Sequence, residues 1–155
     1  MLYYGQANQF DLRGIIMKRL TLIIGLLLTF SGIGAAQVAV IANPSVEEYT
    51  IDRPVRVKIY TLGMSKWQND AAVTVFDLKG DNPVRAKLLG FIGKEPIELR
   101  RIWLKAVASG EAKAPEVVAT EEELFERVAA TPGAVGYVSA SKVGRGVKVL
   151  MRFGK

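Results

Sequence analysis

The sequence predicts an α/β domain, with a mixed sheet flanked by helices in a three-layer-like arrangement. Two observations lead to it. From residue 37 onward, short runs rich in β-branched residues alternate with longer runs of helical spacing. Pro and Gly stand where such helices would open and close. The composition agrees: half of the 155 residues are hydrophobic and only 8% are aromatic, which supports a packed core and suits one domain.

The elements follow in order. Residues 37–42 (QVAVIA) read as a buried first strand, closed by the turn Asn43-Pro44-Ser45. Residues 52–62 read as a helix capped by Asp52, with Pro54 in its first turn and Val55, Ile59 and Leu62 on one face. Gly63 stops it, and an irregular stretch follows around Trp67. Residues 72–76 (AVTVF) read as the second strand and 77–82 (DLKGDN) as a loop. Pro83 then opens a helix to about Ile92, with Asp81 or Asn82 as its cap. A third helix spans 96–108, with Ile97, Ile102, Leu104 and Val107 as its apolar content. Val117-Val118 suggests a short strand. Thr120 and Glu123 have capping-box spacing for a fourth helix, whose Leu124 and Val128 face inward. Residues 134–138 and 146–151 read as the last strands, with Gly144-Arg145-Gly146 as a hairpin loop. The acidic run at 121–123 reads as a solvated helix start.

The N-terminal third has another logic. Lys18 and Arg19 precede the uncharged run 20–30, and a small-residue stretch ends at Ala36. This is the three-part pattern of a secretory signal peptide, residues 17–36, with cleavage expected before Gln37. The apolar run falls short of the roughly 20 residues needed to span a bilayer. Residues 1–16, which carry Asp11 and aromatics ahead of the positive region, read as an upstream artefact or disordered leader, with Met17 as the expected start. Residues 37–155 would form the exported domain, in the periplasm. They hold eighteen Lys and Arg against fourteen Asp and Glu, a net charge of +4.

A mildly basic domain suits a small anion or an acidic partner surface. Nucleic acid is not indicated, because the basic residues are dispersed rather than clustered with aromatics. Without Cys or His there is no disulfide, thiolate nucleophile, imidazole base or ordinary zinc site, so an enzyme is not expected. No motif asks for a cofactor.

Five stretches taken together resemble a known family. They are residues 38–45 (VAVIANPS), 51–70 (IDRPVRVKIYTLGMSKWQND), 73–89 (VTVFDLKGDNPVRAKLL), 99–115 (LRRIWLKAVASGEAKAP) and 130–143 (ATPGAVGYVSASKV). In this order they resemble the short members of the phosphate-binding, type 2 periplasmic-binding-protein superfamily, and the Pro-Gly-Ala-Val-Gly-Tyr run is the most telling. The resemblance implies a single lobe of that fold. It also implies phosphate or a similar small anion as ligand, and an ABC transporter permease or other periplasmic protein as partner. A homodimer would be one way to complete a site. The family's oxyanion loop carries a Ser-Gly-Thr type sequence at a helix N-terminus, where this chain has Gly80-Asp81-Asn82-Pro83-Val84-Arg85. Asp81 puts a negative charge in that place, and Pro83 removes an amide.

The candidate oxyanion site is therefore Asn43, Ser45, Gly80, Asp81, Asn82 and Arg85. Free amides at a helix start and the planar fork of Arg85 suit an oxyanion, and Asn43 and Ser45 could add neutral donors. Both loops follow strands, so they are expected to meet at the carboxyl ends of the sheet. Each residue also has a plain structural reading: Asp81 or Asn82 as a cap, Arg85 in a surface ion pair, Ser45 in a turn, Trp67 and Trp103 as packing anchors, and Tyr137 in the core. The rival expectation is an interaction or regulatory protein that kept the fold without the ligand.

Overall fold

The computed structural model describes residues 37–154. The expected leader and signal peptide lie outside the described residues. Five strands form one mixed sheet in the order β3-β2-β4-β1-β5. They are β1 (Val38–Ala42), β2 (Thr74–Leu78), β3 (Glu116–Val118), β4 (Ala134–Ser139) and β5 (Lys148–Phe153). The helices are α1 (Arg53–Tyr60), α2 (Pro83–Ile92), α3 (Pro96–Ala108) and α4 (Glu121–Ala130).

β2 runs parallel to β3 and β4, whereas β1 runs antiparallel to both of its neighbours, β4 and β5. All five residues of β1 are buried, as its unbroken apolar run requires of a strand covered on both faces. Side chains alternate across the sheet, and Gly136 and Tyr137 of β4 mark the two sides. A Cβ at Gly136 would lie 2.5 Å from Leu124, so that face packs directly on α4, where Leu124 and Val128 are fully buried. Tyr137 points the other way, edge-on to Tyr60 of α1 with ring centroids 5.9 Å apart. Trp103 of α3 donates to the Tyr60 carbonyl at 2.7 Å, which joins α3 to this second layer. α2 joins it as well, since Arg85 reaches Asp77 on that face and Phe91 stacks on Phe153.

Local signals set the helix ends. Asp52 accepts the Val55 amide at 2.9 Å, and Asn82 accepts the Val84 amide at 2.8 Å. α2 closes on Gly93 at φ +69°, the left-handed conformation that a glycine adopts without strain. Thr120 accepts the Glu123 amide at 3.1 Å, and the Glu123 carboxylate turns back to the amide of Ala119. This is a capping box displaced outward by one residue.

Three expectations change. β2 extends to Leu78 and takes in Asp77, which the sequence places in a loop, because this carboxylate finds partners in the interior. The segment around Gly144-Arg145-Gly146 is not a hairpin loop, since β1 lies between β4 and β5 and the chain must cross over it. The last strand accordingly starts at Lys148 and runs on to Phe153. Glu121 is not solvated either: it is buried, accepts the Ser139 amide and lies 3.2 Å from Lys142.

Candidate functional site

The six expected site residues fall into two groups at opposite ends of the sheet. Because β1 is antiparallel to β4, its carboxyl end at Ala42 pairs with Val135 near the start of β4. The start of β2 pairs with the same region, Val75 with Val135, so the Gly80 loop leaves from the far end. Asn43 and Ser45 therefore cannot join Gly80, Asp81, Asn82 and Arg85, and the expected convergence is corrected. The rule that ligands lie beyond the carboxyl ends of strands presumes that the strands run the same way.

Asn43 and Ser45 have structural employment instead. Asn43 is buried, and its Nδ2 donates to the carbonyls of Val128 at 3.0 Å and Ala129 at 2.8 Å. It thus satisfies carbonyls that the end of α4 would leave unpaired. Its Oδ1 accepts the Ser45 amide, and Ser45 Oγ accepts the Gly133 amide at 2.9 Å. Trp67 holds the same corner by donating to the Gly133 carbonyl at 2.8 Å.

The other group sits beside a cleft. Asn82 caps α2 with its side chain, and Asp81 is exposed. Gly80 and Arg85 line a cleft of about 600 Å³ between the end of β2, the edge strand β3 and one face of α3. That is a usual volume for a small-molecule pocket. Arg85 is held in the cleft wall by Asp77, with Nε 2.9 Å from Oδ2. Asp77 is in turn held by Tyr137, whose hydroxyl donates to Oδ1 at 2.5 Å and accepts the Leu78 amide at 3.1 Å. Burial, reinforced by the charge of Asp77, pushes the phenols of Tyr137 and Tyr60 well above their ordinary range. Tyr137 therefore stays protonated and acts as a donor. The bond to Asp77 uses one of the five guanidinium donors.

Lys79 and Arg100 line the same cleft. Arg100 makes no ion pair among the described residues. With the Asp77 charge matched by Arg85, the cleft carries a net positive charge. Its walls are apolar: Ile97, Leu104 and Val107 from α3 face Pro115 and Val117 at β3. Sequence reasoning missed Asp77, Lys79 and Arg100. The signal for Arg100 was the spacing of positions 97, 100, 104 and 107, which is one stripe of a helix. Among the described residues no group of three or more His, Cys, Asp or Glu could hold a metal ion.

No family model and no curated protein matches the chain by sequence. Solved structures do match its fold. An ABC-type phosphate transport receptor from Vibrio cholerae aligns with TM-score 0.61 and 19% identity, over 75% of this chain and 46% of the receptor. A protein from Clostridium perfringens, described as a phosphate ABC transporter substrate-binding protein with bound phosphate, aligns with TM-score 0.60 and 18% identity, over 74% and 45%. PstS from Borrelia burgdorferi aligns with TM-score 0.55 and 19% identity, over 75% and 47%. Over about three quarters of its length the chain thus shares its fold with part of each of these binding proteins. The chain spans less than half the length of each of these proteins.

Proposed function

We propose that this chain is an exported, non-catalytic binding protein that takes a small phosphate-like anion weakly in the cleft between β3 and α3. The observation that carries the reading is the joint placement of Arg85, Arg100 and Lys79 around one cleft whose only carboxylate, Asp77, is already engaged. The fold shared with phosphate receptors supports the choice of anion. In this reading residues 17–36 direct export to the periplasm, Met17 is the start, and an ABC transporter permease is a natural partner. None of the described helices is long and apolar enough to cross a membrane.

A second reading, an interaction protein that kept the fold without the ligand, is favoured by one observation. Asn43 and Ser45 bind their own backbone at the opposite end of the sheet, so they bring no donors to the cleft. Calorimetric titration with phosphate separates the two. Heat at millimolar phosphate that is reduced by Arg100→Gln supports the anion site. No heat from a cooperatively folded sample supports the interaction role.

A further inference from the structure

Inorganic phosphate would use the cations of the cleft but nothing of its walls. Four of the five large hydrophobic side chains left exposed among the described residues line this one cleft: Ile97, Leu104, Val107 and Val117, which are 42–62% exposed. Three of them lie on one stripe of α3 with Arg100 between Ile97 and Leu104. From Arg100 to Val107 the stripe runs about 10 Å along the helix axis. The cationic groups, Lys79, Arg85 and Arg100, thus adjoin an apolar trough with Val117 of the edge strand on its other side. Large apolar groups gathered beside Lys79 and Arg100, which make no ion pair among the described residues, and beside the remaining donors of Arg85 fit a molecule with the same two parts.

We infer that the ligand of this cleft is an amphiphilic organic anion, with a phosphate or carboxylate head at Arg85 and Arg100 and an alkyl or similar apolar body along Ile97, Leu104, Val107 and Val117. The inference rests on the placement of the anion in this cleft and adds the apolar half of the ligand. Charge selects the head, and the trough selects the body. A ligand seated this way removes from water the side chains that the fold leaves uncovered.

The test is a calorimetric titration of the whole chain with inorganic phosphate, butyl, hexyl and octyl phosphate, and octanol. Affinity is expected to rise about fourfold for each methylene that enters the trough. Leu104→Gln is expected to weaken octyl phosphate at least tenfold and to flatten the chain-length series. Arg100→Gln is expected to weaken octyl phosphate at least tenfold. Tyr49→Gln, which alters the fifth exposed hydrophobic outside the cleft, is expected to change neither. Phosphate binding with no chain-length dependence would overturn the amphiphile and leave the anion site standing. Octanol binding as tightly as octyl phosphate would overturn the anionic head. No binding by any probe to a cooperatively folded sample would overturn the amphiphile and the anion site together. A dimer in sedimentation velocity that Leu104→Gln dissociates would also overturn the inference, because the trough would then be a contact between copies.

Discussion

Replacing Tyr137 with Phe tests the internal bracing of Arg85 with little change in shape. The ring keeps its edge-on contact with Tyr60, and only the hydroxyl is lost. Two hydrogen bonds go with it. The first is the donor to the Asp77 carboxylate at 2.5 Å, a bond to a charged group worth about 1.5–3 kcal/mol. The second accepts the Leu78 amide at 3.1 Å, and losing it leaves a buried N–H unsatisfied at a cost of about 1–3 kcal/mol. The interior position, with Tyr137 at 0% and Asp77 at 4% exposure, gives water no easy route to replace them. At the lower end of these ranges they amount together to about 3 kcal/mol. In a domain of this size that lowers the melting temperature by about 10 °C. Urea unfolding of wild type, Tyr137→Phe, Asp77→Asn and the double variant would show it, with a coupling of at least about 1 kcal/mol between the two sites. A Tyr137→Phe loss below about 0.5 kcal/mol, or additive effects, would refute the reasoning.

Other expectations follow from the same contacts. Gly133→Ala forces a Cβ to 2.2 Å from the Ala72 carbonyl at a residue with φ +73°, so it should cost about 3 kcal/mol or more, read by urea unfolding of the whole chain. Asn43→Ala removes two bonds to the end of α4 and should cost about 2 kcal/mol in the same assay, while leaving anion affinity unchanged in calorimetry. Tyr60 and Tyr137 keep their protons in the folded state above the unfolded value of about 10, whereas the unfolded chain releases them. The stability they support is therefore present below about pH 10 and falls above it by about 1.4 kcal/mol per pH unit for each phenol. Urea midpoints measured between pH 9 and 11 should show this fall, with a shallower slope in Tyr60→Phe.

The fold was written largely in periodicity and punctuation. β1 is a run of five buried apolar residues, α2 starts at the Pro that follows its Asn cap, and Thr120 marks the start of α4. Sequence could not show that β1 runs antiparallel to β4, because an apolar run looks the same in either direction. That single fact separates Asn43 and Ser45 from Arg85. Nor could local reading place Asp77 inside a strand, since the partners that permit it, Tyr137 and Arg85, lie 60 and 8 residues away. Arg100 was hidden for a different cause: it is one of several basic residues on α3, and only the fold shows which of them shares a cleft with Arg85.

The most direct test is a ¹H–¹⁵N NMR titration of the chain with phosphate and with octyl phosphate. Ligand bound in the β3–α3 cleft shifts the amides of Lys79, Gly80 and Arg85 and of the α3 stripe around Arg100 and Leu104, and leaves Asn43, Ser45 and Gly133 unmoved. Shifts centred on Asn43 and Ser45, with the β3–α3 cleft silent, would contradict this placement.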